Sequence, residues 1–305
     1  MQRRTSMKIL NFGSLNVDYV YQMDHFIRCG ETFAADRMDK FCGGKGLNQS
    51  VALAKAGARV YHAGNIGSDG QFLMDMLKSS GVHIEYVRVL ENVVTGHAII
   101  QVDKSGDNSI ILYAGANFEV TIEQIDEVLK NFENGDYLVL QNEINHIDQI
   151  IDKAYEKGMN IVLNPSPMNQ VIEKLPLNKV AIFMLNEIEG ADITGEKEPD
   201  RIIQALLHKF PKAKVVLTLG GDGSIYADEK GQVKQEIYKV KAVDTTAAGD
   251  TFTGYFIEAL SRGELPKNAL DIASKASAIA VSKKGASPSI PWMEEVKKAE
   301  LSKRD

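Results

Sequence analysis

Residues 243–254 read VDTTAAGDTFTG, a run of small and polar residues that lies between two regular patterns. Upstream, residues 235–243 alternate and include β-branched side chains, which predicts a strand, whereas Phe252, Phe256 and Leu260 recur downstream at helical spacing. The first turn of a helix presents unpaired backbone N–H groups and the positive end of the helix dipole, and both suit an anion. The stretch therefore predicts an anion site between a strand and a helix.

The chemistry of this turn depends on its small residues and on one carboxylate. Ala247, Ala248 and Gly249 would let an anion approach the backbone closely. Asp250 follows them directly, and a carboxylate there suits the removal of a proton from a hydroxyl that attacks a phosphoryl group. The alternative is that Asp250 only caps the helix or acts as a first-turn acid on its dipole.

The composition is that of an ordinary soluble globular protein. The 305 residues, 44% hydrophobic and 25% charged, allow one large α/β domain or two smaller ones. A net charge of −6 without a basic cluster argues against a nucleic-acid partner. No apolar run reaches the ~18 residues of a membrane-spanning helix, so we expect no membrane association.

Other sequence features point to a reducing compartment. Cys29 and Cys42 form neither a CxxC pair nor a disulfide framework, which predicts free thiols, and the scattered histidines lack the spacing of a zinc site. Residues 1–6 precede no apolar signal region, and Met7 resembles a second beginning, so residues 1–6 are interpreted as a leader or a cloning remnant. A cytoplasmic location is expected.

The first part of the chain predicts one strand of a main sheet and several strands that leave it. Residues 8–12 predict a buried strand, and beyond it Asn16 and Asp18 occupy alternate positions that could face one polyol, although a turn held by Asn and Asp is the alternative. Residues 19–41 predict strands outside the main sheet. The segments 93–102 and 109–113 predict a hairpin with a polar loop.

A glycine-rich loop, CGGKGLNQS at residues 42–50, precedes a predicted helix that stops at Gly57. Such a loop can cradle hydroxyls or an anion with its backbone amides. It is not a Walker A loop, because Gly46 follows Lys45 where Ser or Thr is required. It is not a GxGxxG fingerprint either, because Gln49 occupies the last position, and a dehydrogenase is therefore disfavoured.

From residue 121 onward helices and strands alternate, which predicts a parallel sheet with helices on both faces. The predicted helices are 122–131, 147–157 and 200–210, and the predicted strands are 137–141, 160–163, 180–185 and 214–219. Ligands of such sheets bind beyond the carboxyl ends of the strands. Polar groups recur at those ends: Asn16 and Asp18, Glu143, Asn164, Asn186 and Glu189, Thr218 with 220–223, and 244–250.

With these motifs in place, the chain resembles the ribokinase family of sugar kinases over nearly its whole length. The matching segments, in order, are 13–18, 43–49, 114–117, 164–167, 218–223, 244–254 and 284–292. The resemblance implies an α/β fold: a three-layer αβα sandwich with a central, mostly parallel sheet in a domain spanning 7–305. It also implies a small β-sheet lid formed by segments of about 18–42 and 93–113.

The resemblance also implies roles for individual residues in the ATP-dependent phosphorylation of D-ribose at O5. Asp250 matches the catalytic base, and Ala247, Ala248 and Gly249 match the anion hole. The residues that match the sugar site are Asn16, Asp18, Gly43, Gly44, Lys45, Gly46, Asn48 and Glu143, together with Asp250. Those that match the ATP site are Asn186, Glu189, Thr218, Gly220, Gly221, Asp222, Gly223, Gly249 and Ser274.

Two metal ions and a dimer are further implications of the family. Mg²⁺ would accompany the phosphates near Asn186 and Glu189. A monovalent cation, normally K⁺, matches a site at Asp244, Thr246, Ala280, Lys283, Gly285 and Ser289, where Lys283 would offer only its carbonyl. The lid implies a homodimer. Leu47 replaces a usually smaller residue of the glycine loop, and Ser274 stands where a His or Asn commonly meets the adenine.

The sequence leaves two alternative functions open. Another kinase of this fold could act on deoxyribose, a nucleoside or a hexose. A non-catalytic sugar-sensing regulator is the rival from another class, although the Asp250 turn is intact and no DNA-binding segment is attached.

Overall fold

The computed structural model describes residues 7–303, so the leader expected at 1–6 and the end of the predicted domain at 304–305 lie outside the described residues. Within 7–303 the chain forms thirteen strands and nine α-helices. The strands are β1 (Ile9–Phe12), β2 (Asn16–Gln22), β3 (Arg37–Gly43), β4 (Val60–Gly67), β5 (His83–Leu90), β6 (Gly96–Val102), β7 (Asn108–Tyr113), β8 (Tyr137–Gln141), β9 (Asn160–Asn164), β10 (Ile182–Asn186), β11 (Lys214–Thr218), β12 (Ser224–Asp228) and β13 (Gly231–Gln235).

Nine of these described strands form one sheet in the order β13-β12-β11-β10-β9-β8-β1-β4-β5. The strands from β5 to β11 pair in parallel, and β12 and β13 extend the sheet antiparallel at one edge. The strand order reverses at β1, because the chain continues to β4 on one side and later returns to β8 on the other. The carboxyl ends of β1, β4 and β8 therefore border the crevice where such sheets bind ligands.

Helices cover both faces of this sheet, which confirms the predicted three-layer αβα sandwich. One face carries α1 (Lys45–Ala56), α2 (Gln71–Ser79), α7 (Ala248–Ser261), α8 (Pro266–Val281) and α9 (Met293–Lys298). The other carries α3 (Ile122–Leu129), α4 (Ile147–Glu156), α5 (Glu187–Thr194) and α6 (Pro199–Lys209). None of the helices within residues 7–303 is long and apolar enough to cross a membrane.

A second sheet stands apart from the first and has the strand order β3-β2-β6-β7. Its strands correspond to the two segments implied by the family resemblance, about 18–42 and 93–113, except that β2 begins two residues earlier and β3 ends one residue later; β6 and β7 form the expected hairpin. The β2 strand begins at Asn16, almost directly after β1, so the small sheet projects from the centre of the large one. Its use as a lid stays a prediction.

Three expectations about secondary structure were wrong. The strand predicted over 235–243 does not form beyond Gln235, which is the last residue of β13. The segment that follows pairs with residues 302–303 instead: Tyr238 bridges Lys303, and the Lys239 N–H donates to the Ser302 carbonyl at 2.9 Å. The strands β5, β12 and β13 were not predicted. The helix after the glycine loop begins at Lys45, so half of that loop is the first helical turn.

Helices α1 and α7 pack in direct backbone contact. A Cβ atom placed on Gly254 of α7 would lie 2.8 Å from the Leu53 nitrogen of α1, closer than side-chain carbons come to backbone atoms. Glycine at this position therefore lets the two helices approach each other fully. Because α1 starts in the glycine loop and α7 starts in the Asp250 turn, this contact brings the two sequence motifs together.

Candidate active site

Asp250 lies in the first turn of α7 and is 7% exposed. Each of its carboxylate oxygens accepts one hydrogen bond from an amide of α1: Asn48 Nδ2 donates to Oδ2 at 3.1 Å, and Gln49 Nε2 donates to Oδ1 at 3.0 Å. The carboxylate is therefore held by two neutral donors and keeps lone pairs available for a proton. This arrangement disfavours the reading of Asp250 as a simple helix cap.

The start of α7 has the geometry of an anion site. The Ala248 N–H donates to the Thr245 carbonyl at 3.1 Å, whereas the N–H groups of Gly249 and Asp250 take no partner within residues 7–303. A Cβ atom on Gly249 would meet no atom within 4 Å, so space is open beside these amides. Of the three residues predicted to form an anion hole, Ala247 and Gly249 therefore keep N–H groups without a partner in the described part of the chain, whereas Ala248 does not.

The predicted sugar residues converge at the junction of the two sheets. Asn16 and Asp18 lie on alternate positions of β2, as expected, and Gly43 of β3 pairs with Asn16. Gly43 has no room for a side chain because the Asp18 carboxylate occupies that space. Asn16 Oδ1 accepts from Asn117 Nδ2 at 2.7 Å, which fixes the orientation of the Asn16 amide.

Glu143 joins this group from the loop after β8. One of its oxygens accepts from the Ser14 hydroxyl and from the Lys45 N–H, the latter at 3.0 Å. Burial raises the pKa of Glu143, and these hydrogen bonds oppose the rise only in part. Burial, with the negative charge of Glu143 added, also raises the pKa of Asp18 to about 7. Gly44 and Gly46 complete the loop around them.

Lys45 supplies the positive charge of the site. Burial alone would lower the pKa of its ammonium group, but the carboxylates of Asp250, Glu143 and Glu189 outweigh burial and raise the pKa above its ordinary value. The side chain is therefore a permanent cation among three carboxylates, placed where a negatively charged group would arrive.

A cleft of about 740 Å³ opens beside the start of α7, a volume typical of a nucleotide-sized ligand. Its walls include most of the residues predicted to bind ATP, namely Thr218, Gly220, Gly221, Gly223, Gly249 and Ser274. Asp222 lies in the same turn but does not line the cleft. The opposite wall comes from residues 237–242, the segment that replaced the predicted strand.

A smaller cavity of about 220 Å³ lies next to this cleft, and two of the predicted sugar residues, Lys45 and Asp250, line it. Thr218 and Gly249 line both spaces, and Asp250 and Lys45 line the smaller one. A group that reached from the cleft into the smaller cavity would therefore meet the free amide of Gly249, the cation of Lys45 and the carboxylate of Asp250. An anion-binding amide, a cation and a carboxylate are the kinds of group that phosphoryl transfer uses.

Asn186 and Glu189 also line the smaller cavity, at the start of α5. They form a reciprocal capping box: Asn186 Oδ1 accepts from the Glu189 N–H at 2.9 Å, and Glu189 Oε2 accepts from the Asn186 N–H at 3.0 Å. No cluster of three or more acidic, His or Cys side chains that could hold a metal occurs in residues 7–303. This donor set fits a Mg²⁺ ion held chiefly by phosphates and water, with Glu189 nearby.

The residues of the expected monovalent-cation site lie under the start of α7. Asp244 Oδ1 accepts from the Thr246 N–H and hydroxyl at 3.0 and 2.6 Å, and Oδ2 accepts from the Gly285 N–H at 2.9 Å. Burial raises the pKa of Asp244, but these hydrogen bonds outweigh it and lower the pKa. Lys283 directs its ammonium to Glu295 at 2.8 Å, so only its carbonyl can face the loop.

One carboxylate among neutral oxygens is a donor set that suits a singly charged hard cation. The Ala280 carbonyl already accepts the Lys283 N–H, and the Ser289 hydroxyl donates to the Ala286 carbonyl at 2.8 Å. Of the six predicted residues, Thr246 and Gly285 are therefore hydrogen-bonded to Asp244, whereas Ala280, in the last turn of α8, and Ser289 make local hydrogen bonds.

Several residues that shape the site were missed as site residues. Gln141 ends β8 as a polar residue after four apolar ones, a signal that strand-end reasoning could have used. Ser287 is fully buried, and its hydroxyl donates to Asn48 Oδ1 at 2.6 Å. Gln49 was included in the family-matching segment 43–49 and noted as a mismatch to a dinucleotide motif, but it was given no role in the site. The wall at 237–242 could not be found, because those residues were read as a strand.

A nucleotide-sized cleft, an acceptor site and a carboxylate between them define a phosphotransferase that acts on a hydroxyl. Comparison with known proteins gives the class: the profile of the pfkB family carbohydrate kinases matches residues 6–293. The chain belongs to the pfkB family of carbohydrate kinases.

Individual relatives within this family are ribokinases. The chain is 35% identical over 300 residues to the ribokinase of Staphylococcus aureus (strain COL), which covers 95% of this chain and 98% of the relative. A solved Arabidopsis thaliana ribokinase, complexed with ribose and ATP, matches with a TM-score of 0.87 and 30% identity over 96% of this chain and 98% of that one. A ribokinase of Cryptococcus neoformans var. grubii serotype A in complex with ADP matches with a TM-score of 0.85 and 31% identity over 96% and 99%.

Proposed function

We propose that the protein transfers the γ-phosphoryl group of ATP to O5 of D-ribose and releases ribose 5-phosphate and ADP. The observation that carries this proposal is the position of Asp250, which is hydrogen-bonded to Asn48 of the predicted sugar residues and lines the smaller cavity next to the nucleotide-sized cleft. The similarity to ribokinases over most of the chain, one of them solved with ribose and ATP, supports ribose and ATP as substrates.

In this reaction Asp250 accepts the proton of the ribose O5 hydroxyl as O5 attacks the γ-phosphorus. The negative charge of the transferred group meets the free N–H of Gly249, the positive end of the α7 dipole and the Lys45 ammonium. Together these groups favour the transition state over the separated substrates. Mg²⁺, when bound with the nucleotide, supplies further neutralisation of the phosphates.

Ribose is recognised by charged and polar side chains that its hydroxyls can bridge. Asn16 and Asp18 present one amide and one carboxyl from β2, and Asn48 and Glu143 approach from the other side of the loop. We further propose that the small sheet closes over the sugar and excludes water, which would otherwise accept the phosphoryl group.

A monovalent cation, with K⁺ as the natural candidate, is proposed for the Asp244 loop. The loop lies directly before the start of α7, so a bound cation would fix the turn that carries Gly249 and Asp250. We also propose a cytoplasmic location, where ATP is abundant and the free thiols Cys29 and Cys42 stay reduced.

The test is an ADP-release assay with a panel of acceptors: ribose, deoxyribose, a nucleoside and a hexose, each in potassium chloride and in choline chloride. We expect the highest kcat/KM for ribose and a higher rate in potassium. A higher kcat/KM for any other acceptor overturns the ribose assignment, and equal rates and ribose affinities in both salts overturn the cation site. Absence of turnover with every sugar would instead favour the sensing regulator.

A homodimer through the small sheet is proposed from the surface of β7. This edge strand exposes apolar side chains on both faces: Ile110, Ile111, Leu112 and Tyr113 are each more than half exposed. An edge strand with unpaired backbone groups and apolar side chains is a surface that a second strand covers. The second copy would supply that strand.

We expect Ile111→Lys to shift the protein from dimer to monomer in size-exclusion chromatography with light scattering. The reason is that a charge at the centre of an apolar interface loses its hydration without gaining a partner. Ile188→Lys is the matched control, because Ile188 is a highly exposed apolar residue of α5, outside the small sheet. A monomeric parent protein, or a dimer that survives Ile111→Lys, contradicts the proposal.

A further inference from the structure

A row of buried polar side chains lies beneath the glycine loop, between α1 and the centre of the large sheet. Asn11, Gln141 and Gln49 are each 1% exposed or less. Asn11 and Gln141 point to the α1 face of the sheet, each near the carboxyl end of a central strand. Burying polar groups is costly unless each is hydrogen-bonded, so this row needs a reason beyond packing.

The hydrogen bonds along this row can run in only one donor-to-acceptor direction, because a backbone carbonyl accepts the first of them. Asn11 Nδ2 donates to the Gly46 carbonyl at 2.7 Å, and a carbonyl can only accept, so Asn11 Oδ1 must face the next amide. Gln141 Nε2 donates to this oxygen at 3.0 Å and to Gln49 Oε1 at 2.7 Å. With its oxygen occupied, Gln49 can only present its N–H group to Asp250 Oδ1, which it does at 3.0 Å.

The structure assigns Gln49 as a positioning residue for the catalytic base: through the row Asn11–Gln141–Gln49, it holds the Asp250 carboxylate in the orientation that takes the proton from the sugar. This inference rests on the proposed kinase function. Gln49 acts through Asp250 and not on the substrates, because it is 1% exposed and lines neither the cleft nor the smaller cavity.

Asn48 and Gln49 are neighbours in α1 with different roles: Asn48 is a predicted sugar residue, and Gln49 orients Asp250. Asn48 holds Asp250 Oδ2 and is tied to Ser287, whose hydroxyl can either donate or accept, so the Asn48 amide is free to adapt. Gln49 holds Asp250 Oδ1, and its side-chain amide cannot exchange its oxygen and nitrogen, because the oxygen must accept from Gln141. Loss of Gln49 should therefore lower kcat, whereas loss of a sugar contact should raise KM for ribose.

The test compares Gln49→Met, Gln49→Glu and Gln141→Met in steady-state kinetics, with ribose affinity measured separately by calorimetry. Gln49→Met removes one hydrogen bond to a charged group, so kcat should fall about 10- to 100-fold while KM and Kd for ribose stay within about threefold. Gln49→Glu should lose more, because a second carboxylate would face Asp250. Gln141→Met should lower kcat about 10-fold by releasing the orientation of Gln49.

Gln124→Met is the matched control, since Gln124 is an equally buried amide that donates to Asn65 at 2.8 Å, away from the site. It should lower Tm as the others do and leave kcat unchanged. Wild-type kcat in Gln49→Met, or a loss that appears in KM alone, overturns the assignment. If neither Gln49 variant folds, the kcat of Gln141→Met decides by the same criterion. Turnover of the parent protein tests the proposed function independently.

Discussion

Replacing Asp250 with Asn is expected to lower kcat by about 10²- to 10⁴-fold, the contribution of a general base to phosphoryl transfer. An amide cannot take the proton of the sugar hydroxyl at neutral pH, yet it has the same shape as the carboxylate. Affinities for ribose and ATP should therefore change little. The measurement is single-turnover product formation together with calorimetric titration of both substrates.

The structure explains why this variant should still fold. In wild type, amide N–H groups of Asn48 and Gln49 face both oxygens of Asp250, so one N–H pair would clash when an amide nitrogen is introduced. Gln49 cannot turn, but Asn48 can exchange its oxygen and nitrogen because its other partner is the Ser287 hydroxyl. The new nitrogen can thus face Asn48 Oδ1 without leaving a buried group unpaired.

Asp75→Asn serves as the control for loss of one negative charge, since Asp75 is exposed on α2 and distant from the start of α7. It should keep wild-type kcat. An Asp250→Asn variant that binds both substrates and turns over within a few-fold of wild type would remove Asp250 from the mechanism and leave the helix-cap interpretation.

Replacing Asp18 with Asn is expected to raise KM for ribose about 100-fold with a much smaller change in kcat. Hydrogen bonds to charged groups contribute about 1.5–3 kcal/mol each, and Asp18 has no place in the proton transfer. The effect on kcat/KM should shrink as the pH falls below about 7, where the wild-type carboxyl itself becomes protonated in the free protein.

The same variant should be more stable than wild type at high pH. Burial raises the pKa of Asp18 in the folded protein to about 7, from 3.8 in the unfolded chain, so the unfolded chain ionises first. Wild type therefore loses stability as the pH rises from about 4 to 7, and the loss stays constant above that range. An uncharged Asn avoids this loss of stability. The Tm of Asp18→Asn relative to wild type should therefore increase as the pH rises from about 4 to 7 and stay constant above that range.

Thermal unfolding and ribose kinetics at pH 5.5 and 8.5 measure both effects. Asp39→Asn is a suitable control because Asp39 lies on β3 of the same small sheet and pairs with Arg37 at its surface. It should change neither the pH dependence of Tm nor KM for ribose. A pH-independent difference in Tm between Asp18→Asn and wild type would show that the pKa of Asp18 is not raised in the folded protein. An unchanged KM for ribose would exclude Asp18 from the sugar site.

The regular parts of the fold were predictable because their signals are local. Apolar strands such as 137–141 and amphipathic helices such as 147–157 need only their own periodicity, and the parallel sheet follows from their alternation. Strand β12 was hidden because its apolar run directly follows a glycine turn. The segment 235–243 was misread as a strand because its alternating pattern is typical of one. In the structure Tyr238 of this segment bridges Lys303 instead, and no local signal in the sequence indicates a partner so distant.

The candidate active site was predictable where several of its residues lie in one short motif. It was not predictable where it depends on contacts between side chains far apart in the sequence. The convergence of Asn16, Asp18 and the glycine loop followed from strand ends and the family resemblance. The pairing of Asn48 and Gln49 with Asp250 spans about 200 residues of sequence and depends on how closely α1 and α7 approach. The buried amide row is likewise a tertiary feature, since Asn11, Gln49 and Gln141 lie on three separate elements.

The contact at Gly254 has a consequence for redesigning the substrate range of this enzyme. Because α1 and α7 touch through their backbones there, any side chain at residue 254 would push the two helices apart and change the spacing between the glycine loop and Asp250. Substitutions at this contact would displace the base relative to the glycine loop before they changed the acceptor preference. Libraries aimed at other acceptors should therefore leave this contact intact and vary β2, β3 and β6, strands of the small sheet that we propose closes over the sugar.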